Sequence, residues 1–139
     1  MLVKSYELRI DISVGVDIKD ITPLVRQLVS ESRIRNGIIS INVVGSTGSI
    51  TTIEYEPGVI EDLKRAINRL APPDEEYMHE LAWHDGNGHS HVQAAILGPS
   101  QSFSIRDGEI VLGTWQQIVT INHDVRAKTR RIAVSIIGE

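Results

Sequence analysis

The stretch Trp83-His84-Asp85-Gly86-Asn87-Gly88-His89-Ser90-His91 gathers three of the chain's five histidines, and a fourth, His79, lies just upstream. Imidazole is a common metal ligand, and its proton exchange falls nearest neutral pH. From Ser90 to Leu97 the chain reads as a strand, on which alternate side chains share a face. On that reading His89, His91 and Gln93 point one way and Val92, Ala94 and Ile96 the other. Imidazoles at i and i+2 then stand roughly 6–7 Å apart at the backbone. They would converge on one ion, with His79 arriving from the preceding segment. His79 and His84 miss the zinc-protease pattern, which needs two histidines one helical turn apart. A solvated polar face is the commoner explanation of any single histidine. The cluster, set beside Asp85 and Asn87, favours a metal or acid–base site.

Three further groups have chemistry-bearing residues. Gly45-Ser46-Thr47-Gly48-Ser49 is a small-residue turn with Glu54 downstream; its glycines let backbone N–H groups approach an anion and its hydroxyls donate to one. It lacks the lysine of a Walker loop, and a plain tight turn explains it equally well. In Gly113-Thr114-Trp115-Gln116-Gln117 a glycine within a strand pattern suggests a bulge or a close backbone approach; core packing is the ordinary role for Trp115. Arg126, Lys128, Arg130 and Arg131 form a basic patch able to clamp a phosphate, although a solvated strand edge is the more frequent reason for such a run.

The elements that would position these residues follow from periodicity. Residues 2–14 alternate, with Tyr6, Leu8, Ile10 and Ile12 on one face, as in a strand with one buried side. Asp20 or Thr22 caps a helix with Pro23 in its first turn, carrying Val25, Leu28 and Val29 inward and closing at Asn36-Gly37. Ile38–Val44 is a second, central strand, and Ile50–Tyr55 a third. After Pro57-Gly58 a second helix turns Val59, Ile60, Leu63, Ile67 and Leu70 inward and stops at Ala71-Pro72-Pro73. Phe103 and Ile105 mark a strand, Asp107-Gly108 a hairpin, residues 109–121 a long strand interrupted at Gly113, and Arg130–Ile137 the last strand. The order predicts a single α+β domain over residues 1–139, a largely antiparallel sheet or sandwich with two main helices.

Composition narrows the function. The chain has 139 residues, no cysteine and a formal net charge of −4. Disulfides, thiolate zinc sites and cysteine nucleophiles are excluded. The charge argues against nucleic acid as a partner. The N-terminus lacks a basic segment followed by an apolar one, and no apolar run reaches the length of a membrane span, so a cytoplasmic protein without membrane contact is expected.

Several of these segments together resemble the YjbQ-like family, some members of which show a secondary thiamine-phosphate synthase activity. The resemblance rests on Gly45 to Glu54, Tyr77-Met78-His79-Glu80, Asn87 to Gly98, Gly108 to Gln117, in which Leu112-Gly113-Thr114-Trp115-Gln116 is the most specific piece, and the basic stretch Arg126–Arg131. It implies an α+β domain that assembles as a homotrimer. It also implies a pocket near a subunit interface, lined by His79 and His91 and able to hold a metal or an anion. Where the family's first motif often begins His-Thr-Thr-Ala, this chain has Gly45-Ser46-Thr47-Gly48, and Lys128 replaces the usual arginine; both resemble an archaeal-type branch. His89 falls where many bacterial relatives carry an acidic residue, and is expected to compensate for the missing histidine.

The expectation is therefore a trimeric protein acting on a small phosphorylated metabolite. His79, His89 and His91 hold a divalent metal, zinc or magnesium. Ser46, Thr47, Asn87, Trp115, Gln116 and Arg130 bind substrate or anion, and Glu54 and His91 act in catalysis. Synthesis of thiamine phosphate would expel pyrophosphate, whose charge a metal and cationic groups would stabilise. The alternatives are a metal-dependent hydrolase of a small metabolite, with Glu54 or Asp85 as base, and a non-enzymatic trimer that binds a metal or metabolite.

Overall fold

A computed structural model describes all residues, 1–139. Two sheets and four helices follow the order β1 (Leu2–Ile12), β2 (Asp17–Asp20), α1 (Thr22–Ser32), β3 (Gly37–Val44), β4 (Gly48–Ile53), α2 (Pro57–Leu70), α3 (His79–Trp83), α4 (Gly88–Leu97), β5 (Ser100–Arg106), β6 (Glu109–Ile110), β7 (Gln117–Asn122) and β8 (Lys128–Gly138). A five-stranded sheet runs β1-β8-β3-β5-β6 and a three-stranded sheet runs β2-β7-β4, every pair antiparallel. The α+β class and the central place of β3 agree with the periodicity.

The main core lies between the inner face of the larger sheet, α1 and the smaller sheet. Ile39, Ile41, Ile132, Val134 and Ile136 meet Val25 and Val29 of α1 and Ile50 and Ile118. Burying such side chains stabilises by about 1.5–3 kcal/mol each, and here the strands supply them in strict alternation. β8 shows the consequence: Arg130, Ile132, Val134 and Ile136 are buried, while Thr129, Arg131 and Ser135 are exposed. Arg130 is thus carried inward in phase with three core residues. A second cluster joins Ile18, Val119 and Ile121 to Ile67 of α2. Leu70, expected to face inward with Ile67, is exposed.

Several expectations need correction. Residues 90–97 are helix, not strand. The buried positions His89, Ser90, Gln93 and Ala94 recur at helical spacing. Gln93-Ala94-Ala95 and Leu97 are good helix formers, and so short an apolar run cannot be assigned from alternation alone. α1 is closed by Arg33 in the left-handed conformation, three residues before Asn36-Gly37. Gly37 instead opens β3 where β8 passes so close that a Cβ would stand 2.0 Å from the Ile137 carbonyl oxygen. The strand expected over 109–121 is two strands in different sheets. Between them the Gln116 side chain closes a turn, its Oε1 accepting from the Gly113 N–H at 3.0 Å.

Candidate functional site

One end of the β4–β7 pair, where Gly48 faces Asn122, holds a dense polar network, and its centre is Arg130. Arg130 is 5% exposed. Its Nη2 donates to Thr47 Oγ1 at 2.7 Å and to Asn122 Oδ1 at 2.6 Å. Thr47 Oγ1 in turn donates a hydrogen bond to Asp124 Oδ2 at 2.9 Å, so one hydroxyl bridges the arginine and the carboxylate. Burial would raise the Asp124 pKa, but hydrogen bonds from the Arg126 N–H, Asn87 and Thr47, with Lys128 nearby, hold the carboxyl below the usual range. Arg130 forms no ion pair of its own, and its buried Nε has no partner. A buried, hydrogen-bonding charge left this incompletely matched is costly.

The turn over this guanidinium is shaped to leave it room. A Cβ at Gly48 would stand 3.3 Å from Arg130 Cζ and Nε, and one at Gly45 2.9 Å from Nη1. Gly45 also has φ +137°, which disfavours a side chain. The backbone N–H groups of Gly45, Ser46 and Thr47 donate to no acceptor in the protein. Successive free amides beside a cation make an anion-binding concavity. A hollow of about 310 Å³ opens there, bounded by Gly45, Ser46 and Gly48 on one side and by His91, Ala94 and Pro99 on the other.

Behind the turn lies a chain that sequence reasoning missed. Gln93 Nε2 donates to Ala71 O and Asn68 Oδ1, both at 3.0 Å. Ala71 O is only an acceptor, so the amide orientation is fixed and Gln93 Oε1 faces His123 Nδ1 at 2.9 Å. His123 must therefore carry its proton on Nδ1, and its Nε2 accepts from Ser49 Oγ at 2.8 Å. Burial, then Arg130, then His89 push the His123 pKa down to about 4, so the ring is neutral at pH 7. Ser49 is wholly buried and His123 is 1% exposed; this resembles a nucleophile–base pair in geometry only, because nothing can reach the hydroxyl. The signal available was the polar trio Asn122-His123-Asp124 directly at the end of a strand whose last five residues are all buried.

The expected histidine site divides. His89 and His91, two apart on a helix, diverge by about 200°. His89 turns inward, its Nε2 3.4 Å from Ser90 Oγ, and burial lowers its pKa. His91 turns to the hollow, its ring centroid 4.7 Å from that of His79. His79 Nε2 lies 3.0 Å from Asp85 Oδ1, and ligand atoms of His79, Glu80 and Asp85 fall within 4.8 Å of one another. Glu80 is already engaged, its two oxygens accepting the N–H groups of Gly86 and Gly88. Asn87, expected as an anion ligand, uses both ends of its amide within the protein: Nδ2 donates to Asp124 and Oδ1 accepts from the Val125 N–H.

Glu54, Trp115 and Gln116 are not brought to this end. β4 and β7 run from Gly48–Asn122 to Ile53–Gln117, and Glu54 lies just beyond, about 20 Å along the strand. Trp115 is 72% exposed rather than packed in the core, and Gln116 donates to Thr52 Oγ1.

The comparisons with known proteins agree with this architecture. The family described as UPF0047 protein YjbQ-like matches residues 6–139. A UPF0047 protein of Methanothermobacter thermautotrophicus is 35% identical over 139 residues, covering 100% of this chain and 95% of its own length. The crystal structure of a YbjQ-like protein from Sulfolobus solfataricus superposes with a TM-score of 0.89 at 37% identity, over 99% of this chain and 100% of that one. That of a yjbq/upf0047 family protein from Clostridium acetobutylicum gives 0.84 at 32%, over 96% and 99%. No helix is long and apolar enough to cross a membrane. With its sequence matched from β1 to the last residue and its fold matched across the whole chain, this protein belongs to the YjbQ-like family.

Proposed function

We propose that the chain binds a small phosphorylated metabolite, with the phosphate seated in the turn Gly45–Gly48 against Arg130. The observation that carries this reading is the pairing of a buried guanidinium lacking an ion pair with three successive backbone N–H groups lacking acceptors. The buried guanidinium would be costly to maintain for structure alone, and the free amides of the turn beside it, Gly45 and Ser46 being exposed, complete a surface complementary to an oxyanion. Ser46 adds a hydroxyl at the rim, and Thr47 fixes the guanidinium. His91 stands across the hollow, where it would meet the ester oxygen or leaving group.

A divalent ion fits part of the expected set. His79, His91 and Asp85 have the donor types zinc accepts; His79 is hydrogen-bonded to Asp85 and its ring lies beside that of His91, whereas His89 is turned away. Bound there, the ion would supply positive charge against the phosphate. The transferase activity implied by the family resemblance uses the same cradle, because thiamine-phosphate synthesis expels pyrophosphate. Hydrolysis of a phosphorylated metabolite is the second reading, favoured by the His79–Asp85 hydrogen bond, which could orient an imidazole as general base. A homotrimer belongs to the proposal: Trp115 at one end and Met78, Leu81 and Trp83 at the other are exposed apolar groups, and unlike patches that meet head to tail can close into rings.

Calorimetric titration with inorganic phosphate and pyrophosphate tests the cradle. Wild type should bind saturably. Gly48→Ala, whose Cβ would crowd Val43 Cγ2 at 3.1 Å and the guanidinium at 3.3 Å, should weaken binding by about tenfold, roughly the 1.4 kcal/mol of one good charge-assisted contact. Binding that is the same in wild type, Gly48→Ala and Arg130→Lys would rule the cradle out. Incubation with the pyrimidine diphosphate and thiazole phosphate then separates the activities: C–N bond formation supports transfer, and phosphate release alone supports hydrolysis.

A further inference from the structure

A second cationic hollow lies on the other side of the molecule, between α1 and the β5–β6 hairpin. It encloses about 430 Å³ and is lined by Arg26, Val29, Ser30, Gly108, Glu109 and Ile110. A continuation of about 270 Å³ shares Val29, Ser30 and Gly108 and adds Arg33 and Arg35. Arg26, Ser30 and Arg33, spaced by four and three residues, fall on one stripe of the helix and its closing residue. Three arginines line it against one lining glutamate, while Asp107 at the hairpin tip and Glu139, whose O accepts from the Arg35 and Asn36 N–H groups, stand beside it. None of the three forms an ion pair, and neither does Glu109.

The hollow is also built rather than incidental. The Gly108 N–H donates to the Arg35 carbonyl oxygen at 2.9 Å, and the Asp107 N–H to Asn36 Oδ1 at 3.3 Å. These bonds pin the hairpin tip to the end of α1. Gly108, at φ +81°, lies against the Arg35 guanidinium, where a Cβ would stand 3.2 Å from Nη1. The floor is apolar, with Val29 and Ile110 buried. The lining is mostly polar, with a cationic rim, one hydroxyl and one carboxylate over two apolar side chains, and its volume falls in the usual range of a small-ligand pocket.

We infer that this hollow is a second ligand site, distinct from the Gly45–Gly48 cradle, for a phosphomonoester of mononucleotide size. Arg33 and Arg35 take the phosphate, the flat apolar body rests on Val29 and Ile110, and Glu109 accepts from a hydroxyl or amino group of the ligand. Arginine suits both tasks, since its fork matches phosphate oxygens and its plane stacks on rings. This inference does not depend on the cradle, and it is tested by which amides respond.

The experiment is a titration of isotope-labelled full-length protein with adenosine monophosphate, followed by amide chemical shifts, with adenosine and inorganic phosphate as separate probes. Saturable shifts at Ser30, Gly108, Glu109 and Ile110 are expected with the monophosphate, and weaker ones with either half alone. Arg33→Ala with Arg35→Ala should reduce affinity at these amides by at least about tenfold and leave any shifts at Gly45–Thr47 unchanged; both side chains are exposed, so the fold should survive. Absence of saturation at Ser30 and Gly108, or shifts that persist undiminished in the double variant, would overturn the site. Shifts confined to Gly45–Thr47 would support the cradle and overturn this second site.

Discussion

The two ends of the β4–β7 pair share their strands and differ in their chemistry. At the Gly48–Asn122 end, Thr47, Ser49, Asn122, His123, Asp124 and Arg130 are all buried and joined by hydrogen bonds. At the Ile53–Gln117 end, Glu54, Tyr55 and Trp115 are exposed. Low dielectric strengthens each polar contact at the first end and makes every unpaired group there expensive. The unpaired group that persists there, Arg130 Nε, is therefore informative in a way that the exposed Glu54 carboxylate is not, and the free amides of the Gly45–Thr47 turn lie beside it. An exposed tryptophan teaches something else: it is surface available to another molecule, and its contribution depends on what meets it.

The largest expected effect is on stability in acid. His123 titrates at about 4 in the folded protein against an ordinary 6.5. Above about pH 6.5 it is neutral in both states and costs nothing. As pH falls from 6.5 through 4, the unfolded chain takes up a proton that the folded ring refuses, so stability drops, by about 3 kcal/mol for this group. Urea denaturation between pH 7 and 4 should show the slope in wild type and its reduction in His123→Phe. An unchanged slope would mean that the ring is not sealed.

Next is Arg130→Met. Phosphate affinity should fall about a hundredfold, the upper part of the roughly 1.5–3 kcal/mol range for hydrogen bonds to a charged group. Stability should move by no more than about 1 kcal/mol, because losing two hydrogen bonds is offset by no longer burying an uncompensated charge. A loss of several kcal/mol in denaturation would make Arg130 a structural residue and erase the contrast between the two ends. Ser49→Ala should cost about 1–2 kcal/mol by leaving His123 Nε2 unpaired, with phosphate binding unchanged by calorimetry. The smallest effects belong to the open end. Glu54→Gln and Trp115→Ala should each shift stability by less than about 0.5 kcal/mol. Phosphate affinity of the single chain should stay the same. Trp115→Ala should instead lower the oligomer population seen by sedimentation if Trp115 meets a second copy.

The strands were legible because one face of each is buried and alternation records it; β1, β3 and β8 follow directly from Tyr6–Ile12, Ile39–Val43 and Ile132–Ile136. Arg130 could have been placed by the same rule, since it stands in phase with Ile132, yet its charge drew it into a surface patch with Arg126 and Arg131. α4 was misread because eight residues with an apolar tail satisfy either period, and the histidines made the strand reading attractive. That error produced a converging His89–His91 pair which the helix separates. His123 escaped notice because burial of a polar residue in a loop depends on Gln93 and Ser49, tens of residues away. The Gly45–Ser49 turn was visible as a candidate, but its weight depends on the buried guanidinium behind it, a contact 83 positions apart in the Arg130–Thr47 bond.

The central claim is that Gly45, Ser46 and Thr47 donate their amide protons to a bound phosphate beside Arg130. Titration of labelled protein with inorganic phosphate, read at those three amides and at the Arg130 side-chain nitrogens, tests it most directly. Saturable shifts at all four, absent in Arg130→Met, are the predicted result. Resonances that stay fixed in folded wild-type protein at saturating phosphate would contradict it.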